Sequence, residues 1–213
     1  MTNFNQRLAG FFVLTALFWL SSNTYAANAS ENLQQLLQPM NALSGRFTQS
    51  LIDAEGETLQ ESEGQFWLQK PGKLNWHTQG PFEQLLITND ENLWLYDPDL
   101  EQVTVKNIDK TLEQSPVSIL SGNIADFNLH YDIEQKAGAD NRENFVLLPR
   151  ANEALFEKLT LSFSNGIIES MQLLDSLGQV TNITLLATQL NPEIAAEQFV
   201  FSAPPGTDVL VDD

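Results

Sequence analysis

Residues 64–102 read GQFWLQKPGKLNWHTQGPFEQLLITNDENLWLYDPDLEQ. Apolar and aromatic residues occur here in runs of strand length, divided by Pro, Gly and Asn/Asp turns such as Pro71-Gly72, Gly80-Pro81 and Asp97-Pro98-Asp99. That pattern predicts one meandering antiparallel sheet. Trp67, Trp76 and Trp94 all lie in this stretch, and the remaining tryptophan, Trp19, sits in an N-terminal apolar run. Large amphipathic rings concentrated on one sheet give it a very apolar surface, so the question is what that surface faces.

The same period of two extends in both directions. From Arg46, Phe47, Gln49 and Leu51 alternate with Thr48 and Ser50, and TLQESEGQFWLQ follows a Glu55-Gly56 turn. Downstream, FNLHYDI sets Phe127, Leu129, Tyr131 and Ile133 on one face, and LTLSFS does the same for Leu159, Leu161 and Phe163. LTLSFS then turns at Asn165-Gly166 into IIESMQLL, a favoured hairpin. With ENFVLL and QVTNITLLA the chain offers about eleven strands, which predicts a mainly β domain whose antiparallel sheet curls toward a barrel.

Three segments break this period. Ser30 is placed to cap a helix in which Leu33, Leu36, Leu37, Met40 and Leu43 follow at helical spacing, with Pro39 ending or kinking it near Gln38. LEQSPVSILSGN, residues 112–123, predicts a short helical turn carrying Val117, Ile119 and Leu120, and NPEIAAEQF predicts another brief helix. Such an apolar stripe suits ordinary core packing. Periodicity alone does not separate a filled core from a ligand cavity with a helical lid.

The N-terminus, MTNFNQRLAGFFVLTALFWLSSNTYA, has a polar start, an apolar run from Leu8 to Leu20 and a small-residue exit. It reads as a signal peptide, residues 1–26, cleaved after Ala26, since the apolar run is shorter than the roughly 20 residues a membrane span needs. Residues 27–213 then form one domain of 187 residues, with a net charge of -19 against -18 for the whole chain. That charge argues against nucleic acid and against stable insertion into anionic membranes. With no cysteine, the chain can hold neither a disulfide nor a lipidated N-terminal cysteine, so a soluble exported monomer is expected.

No residue set points to catalysis. There is no Cys nucleophile, Gly-x-Ser-x-Gly elbow, Gly-rich phosphate loop or His-Glu-x-x-His, and His77 and His130 are far apart in sequence. The pairs Glu61/Glu63 and Asp97/Asp99 are the only candidates for acid and base, the latter giving the alternative of an exported lipid- or glycan-acting hydrolase. Asp97-Pro98-Asp99 reads more simply as a turn and Glu61/Glu63 as an exposed strand face. A protein without catalysis, metal or cofactor is expected.

Specific motifs then carry a resemblance. Lys70-Pro71 with Leu74-Asn75-Trp76, and Leu93-Trp94-Leu95-Tyr96-Asp97-Pro98 with Gln102, are the most specific; Gly45-Arg46-Phe47-Thr48-Gln49, Gly64-Gln65-Phe66-Trp67, Ser115-Pro116 with Ile119-Leu120, and Phe199-Val200-Phe201 with Pro204-Pro205-Gly206 support them. Across nearly the whole chain after residue 26, the sequence resembles the periplasmic lipoprotein carriers of the Lol pathway. The resemblance implies an unclosed antiparallel β-barrel with a lid of short α-helices over an apolar cavity for acyl chains. It implies that Leu33, Leu37, Met40 and Leu43 line a first lid helix and Ile119 and Leu120 a second. Phe47 is assigned to the cavity, and Trp67, Leu74, Trp76 and Trp94 to strands that form or support its wall. It further implies acylated lipoproteins as cargo, an inner-membrane lipoprotein-releasing ABC transporter as donor and an outer-membrane lipoprotein receptor as acceptor. Where the family usually has a lid-latching arginine, this chain has Lys70, which keeps the charge but loses the planar five-donor fork; a looser lid is expected.

Overall fold

Alternation by two sends every second side chain of each strand to the same side of a single twelve-stranded sheet. The computed structural model describes residues 23–89, 91–107, 120, 127–151 and 156–212. Helix α1 (Asn23–Leu37) leads into β1 (Ala42–Ile52), β2 (Thr58–Gln69), β3 (Lys73–Gly80), β4 (Gln84–Thr88), β5 (Asn92–Asp97) and β6 (Gln102–Asn107). A short helix, α2 (Phe127–His130), precedes β7 (Tyr131–Ala137), β8 (Glu143–Pro149), β9 (Phe156–Ser164), β10 (Ile167–Asp175) and β11 (Val180–Leu190). A 3₁₀ turn (Ala196–Phe199) and β12 (Asp208–Asp212) complete the chain. The order across the sheet is β12-β6-β5-β4-β3-β2-β1-β11-β10-β9-β8-β7, so the sheet is open, with β12 and β7 at its ends.

Cross-strand register fixes which residues share a face. Phe66 opposes Trp76, Trp76 opposes Leu86, and Leu86 opposes Leu95. On the other half, Phe47 opposes Leu185, and Ile183, Met171, Leu161 and Phe145 follow strand by strand. These side chains make up one inner face, and most are buried in a single cluster. Leu33, Leu37 and Met40 belong to the same cluster, so α1 packs on this face.

Two glycines make the inner face possible. Gly64 opposes Phe47, and a Cβ there would lie 2.0 Å from the His77 carbonyl oxygen and 2.8 Å from the Phe47 ring. With no side chain in the way, Phe47 lies across β2 and stacks on Trp76, ring centroids 3.9 Å apart. Gly45 gives the Phe66 ring the same access, since a Cβ there would sit 3.0 Å from it.

The sequence expectation is corrected in four places. Among the described residues there are twelve strands, because DVLVD forms β12, and this strand pairs with β6 in parallel. It is parallel because the segment after β11 crosses the back of β3–β6 before joining the edge. Phe127 to His130 of the expected strand FNLHYDI are helical, and the strand starts only at Tyr131. Among the described residues the first helix begins at Asn23, so Ser30 lies inside it, not at its cap. Finally, α1 ends at Leu37: Met40 lies in the following turn and Leu43 in β1, because Pro39 halts the helix two residues after its last turn.

Gly64→Ala is expected to lower stability by about 2–3 kcal/mol through overpacking, with a Tm drop of several degrees. Gly80→Ala should leave Tm nearly unchanged, since no atom lies within 4 Å of a Cβ there. Thermal unfolding of the two variants checks the contrast.

Candidate functional site

The apolar inner face and its helical cover form the candidate site. Helix α1 offers Ala29, Leu33 and Leu37 to it, at 2%, 0% and 1% exposure. Met40, Leu43, Phe47, Leu74 and Trp76 lie in the same buried cluster, as does Leu120. Ile119 falls outside the described residues. In this conformation the inner face is a packed core, and burying Leu33 and Leu37 stabilises the closed arrangement by roughly 3–6 kcal/mol.

Trp67 and Trp94 are placed differently. Trp67 opposes Asn75, Asn75 opposes Ile87, and Ile87 opposes Trp94, so both rings are on the outer face of the strands whose inner face holds Trp76. The segment after β11 covers this side. Phe201 packs near Trp94 and Tyr96, with ring centroids 6.4 Å and 5.5 Å apart, Phe199 is buried, and the Asn75 amide donates to the Gln198 carbonyl at 2.7 Å. Trp67 and Trp94 therefore back the wall from outside instead of lining it.

The C-terminal end of α1 is tied to the sheet by two residues. Lys70, at the end of β2, donates from Nζ to the Leu37 carbonyl at 2.7 Å, and its backbone N–H donates to the Asn41 carbonyl at 2.8 Å. A cation on a terminal helix carbonyl also complements the helix dipole. Asn191, just beyond β11, accepts at Oδ1 from the N–H groups of Asn41 and Ala42, at 2.8 Å and 3.0 Å. Its Nδ2 donates to the Pro39 carbonyl at 2.9 Å, and it holds a left-handed φ of 53°. The sequence reading missed Asn191, whose partners are about 150 positions away; an asparagine at a strand end carries no signal of them.

Burial lowers the Lys70 ammonium from its ordinary 10.5 to about 8. The outward side of α1 is linked to the sheet end by Asn32, whose amide donates to Gln135 Oε1 on β7 at 2.6 Å.

The other titratable candidates have structural roles. Asp97 Oδ1 accepts the Leu100 N–H at 3.1 Å and so shapes the turn between β5 and β6. His77 pairs with Glu83 at 2.7 Å, and His130 is exposed. Among the described residues, no group of three His, Cys, Asp or Glu side chains is arranged to hold a metal, and no helix is long and apolar enough to cross a membrane.

An open sheet that folds a helix over its apolar inner face has counterparts among known proteins. A family model described as outer membrane lipoprotein carrier protein LolA matches residues 38–202, and the chain belongs to that family. It is 44% identical to the outer-membrane lipoprotein carrier protein of Pseudomonas aeruginosa, over 85% of this chain and 87% of that one. With the carrier protein of Azotobacter vinelandii it shares 40% identity, over 96% and 99% of the two chains. An uncharacterized conserved protein from Thermus thermophilus has the same fold, with a TM-score of 0.55, 12% identity and coverage of 87% of this chain and 99% of that one. The relatives are carriers and not hydrolases, which removes the Asp97/Asp99 alternative.

The lowered Lys70 value has a measurable consequence. A lysine with a folded pKa below its unfolded one weakens the folded state while charged, so its contribution to stability rises with pH between about 8 and 10.5. Lys70→Arg stays charged throughout that window. The Tm of the native chain is expected to gain on that of Lys70→Arg from about pH 8 upward, and a constant difference would contradict a buried ammonium.

Proposed function

We propose that this protein is a periplasmic chaperone that takes the acyl chains of lipoproteins between the inner face of its sheet and the cover formed by α1 and Leu120. It is exported with residues 1–26 removed and works as a monomer. Cargo arrives from an inner-membrane, ATP-driven release complex and passes to a receptor at the outer membrane. The observation that carries the reading is the apolar inner face of an open sheet, covered by a helix joined to it at one end by hydrogen bonds of Lys70 and Asn191. Family membership supports it.

Magnitudes favour exchange of lid for cargo. Three acyl chains of about 15 methylenes, at roughly 0.8 kcal/mol per CH₂, cost on the order of 36 kcal/mol bare in water. Lifting α1 exposes Leu33 and Leu37 at roughly 3–6 kcal/mol. Cargo burial therefore exceeds lid opening several-fold, and the carrier needs no nucleotide to load once cargo is presented. Release needs an acceptor with a surface at least as apolar. In this scheme Lys70 acts as the latch of α1, and Leu33, Leu37, Phe47, Leu74, Trp76 and Leu120 meet the acyl chains.

Mass spectrometry of lipoproteins co-purified with the protein from the periplasm tests this. The native chain is expected to carry acylated lipoproteins, and Leu120→Glu, which places a charge in the buried cluster, should lose most of them while its circular dichroism stays native. Undiminished cargo on a folded Leu120→Glu chain would overturn the assignment of Leu120 to the cover.

A further inference from the structure

Strand β2 is longer than its neighbour. It pairs with β1 along its length, but β3 reaches only to Gly80, opposite Glu63. Pro81 follows, with no N–H to extend the ladder, and the chain turns away. Among the described residues no strand pairs with Thr58–Ser62 on that side, and residues 58–61 are exposed. The result is an open backbone edge in mid-sheet, in the lane β3 leaves vacant.

That edge borders a groove of 630 Å³ on the outer face, away from α1. Thr48, Ser50, Asn182 and Thr184 are on its floor, with Pro81 at its end. Glu61 and Glu63 stand over it from β2, in register with Ser50 and Thr48. Among the described residues no Lys, Arg or His lines it. The other open end of the sheet at β7 differs, since α1 packs beside it through the Asn32–Gln135 contact.

We propose that this edge docks an extended, basic segment of a partner protein, added to β2 as an extra strand along Thr58–Ser62 beside the acidic groove. Backbone groups of the segment pair with the edge, which supplies affinity without regard to sequence. Its alternate side chains fall on the outer face, at the spacing of Glu61 and Glu63, so lysine or arginine at every second position is selected. The docking site is on the opposite face from the buried cluster and stands whether or not that cluster binds acyl chains.

The test titrates the ¹⁵N-labelled protein with the peptide acetyl-Thr-Lys-Thr-Lys-Thr-Lys-Thr-amide at low ionic strength. Expected are chemical-shift changes centred on Thr58–Ser62 and Gly80, slowed amide exchange at residues 58–62, and a Kd below about 1 mM. Glu61→Gln/Glu63→Gln, which alters exposed positions only, should weaken binding at least about fivefold, and the peptide with Glu in place of Lys should not bind. No binding of the lysine peptide, equal affinity for both peptides, no effect of the double variant, or shifts confined to β7 or β12 would each overturn the proposal.

Discussion

The inner face of the sheet must be kept from water, and the sheet does not close to do it. Phe47, Phe66, Trp76, Phe145 and their neighbours make a continuous apolar surface, while β12 and β7 remain unpaired with each other. A closed barrel would bury such a surface by itself; an open one needs a cover. Helix α1 supplies it. The cover is amphipathic, joined to the sheet by a short turn and held by few polar bonds, which is what a removable element requires.

Those bonds concentrate at one end. Lys70 and Asn191 fix the turn between Leu37 and Ala42 from both neighbours of β1, so the C-terminal end of α1 is the end held to the sheet. The Lys70 contact carries its own cost, because burial disfavours the ammonium that the helix carbonyl attracts. An arginine there would spread its charge over a planar fork and hold more than one acceptor. The outer face is equally committed on one half: Phe199 and Phe201 close over β3–β6, which stiffens the wall that carries Trp76.

Much of this was legible in the sequence. The alternation from Phe47 onward, the turns at Pro71-Gly72 and Asn165-Gly166, and the stripe of Leu33 and Leu37 were local patterns, and the structure places them as read. What failed was non-local. β12 pairs in parallel with β6, about a hundred positions earlier, and no turn joins them to announce it. Trp67 and Trp76 differ in face because register across the Lys70-Pro71-Gly72 turn, not composition, decides it. The helical spacing of Met40 and Leu43 persisted past Pro39 by coincidence of two periods, and Phe127–His130 is helical against its alternation. Asn191 was invisible because all its partners are distant.

In the proposed function α1 must leave the inner face before acyl chains can occupy it. The cysteine-free chain allows α1 to be pinned: Asn32→Cys and Gln135→Cys, whose native side chains touch, can be joined by a short bismaleimide. Uptake of a tri-palmitoylated lipopeptide, read by native mass spectrometry, then compares the joined protein with the same double variant left unjoined. Uptake by the unjoined protein and at least a tenfold loss after joining are expected, since roughly 1.4 kcal/mol per decade is small beside the apolar area α1 withholds. Equal uptake by both would show that the acyl chains bind elsewhere.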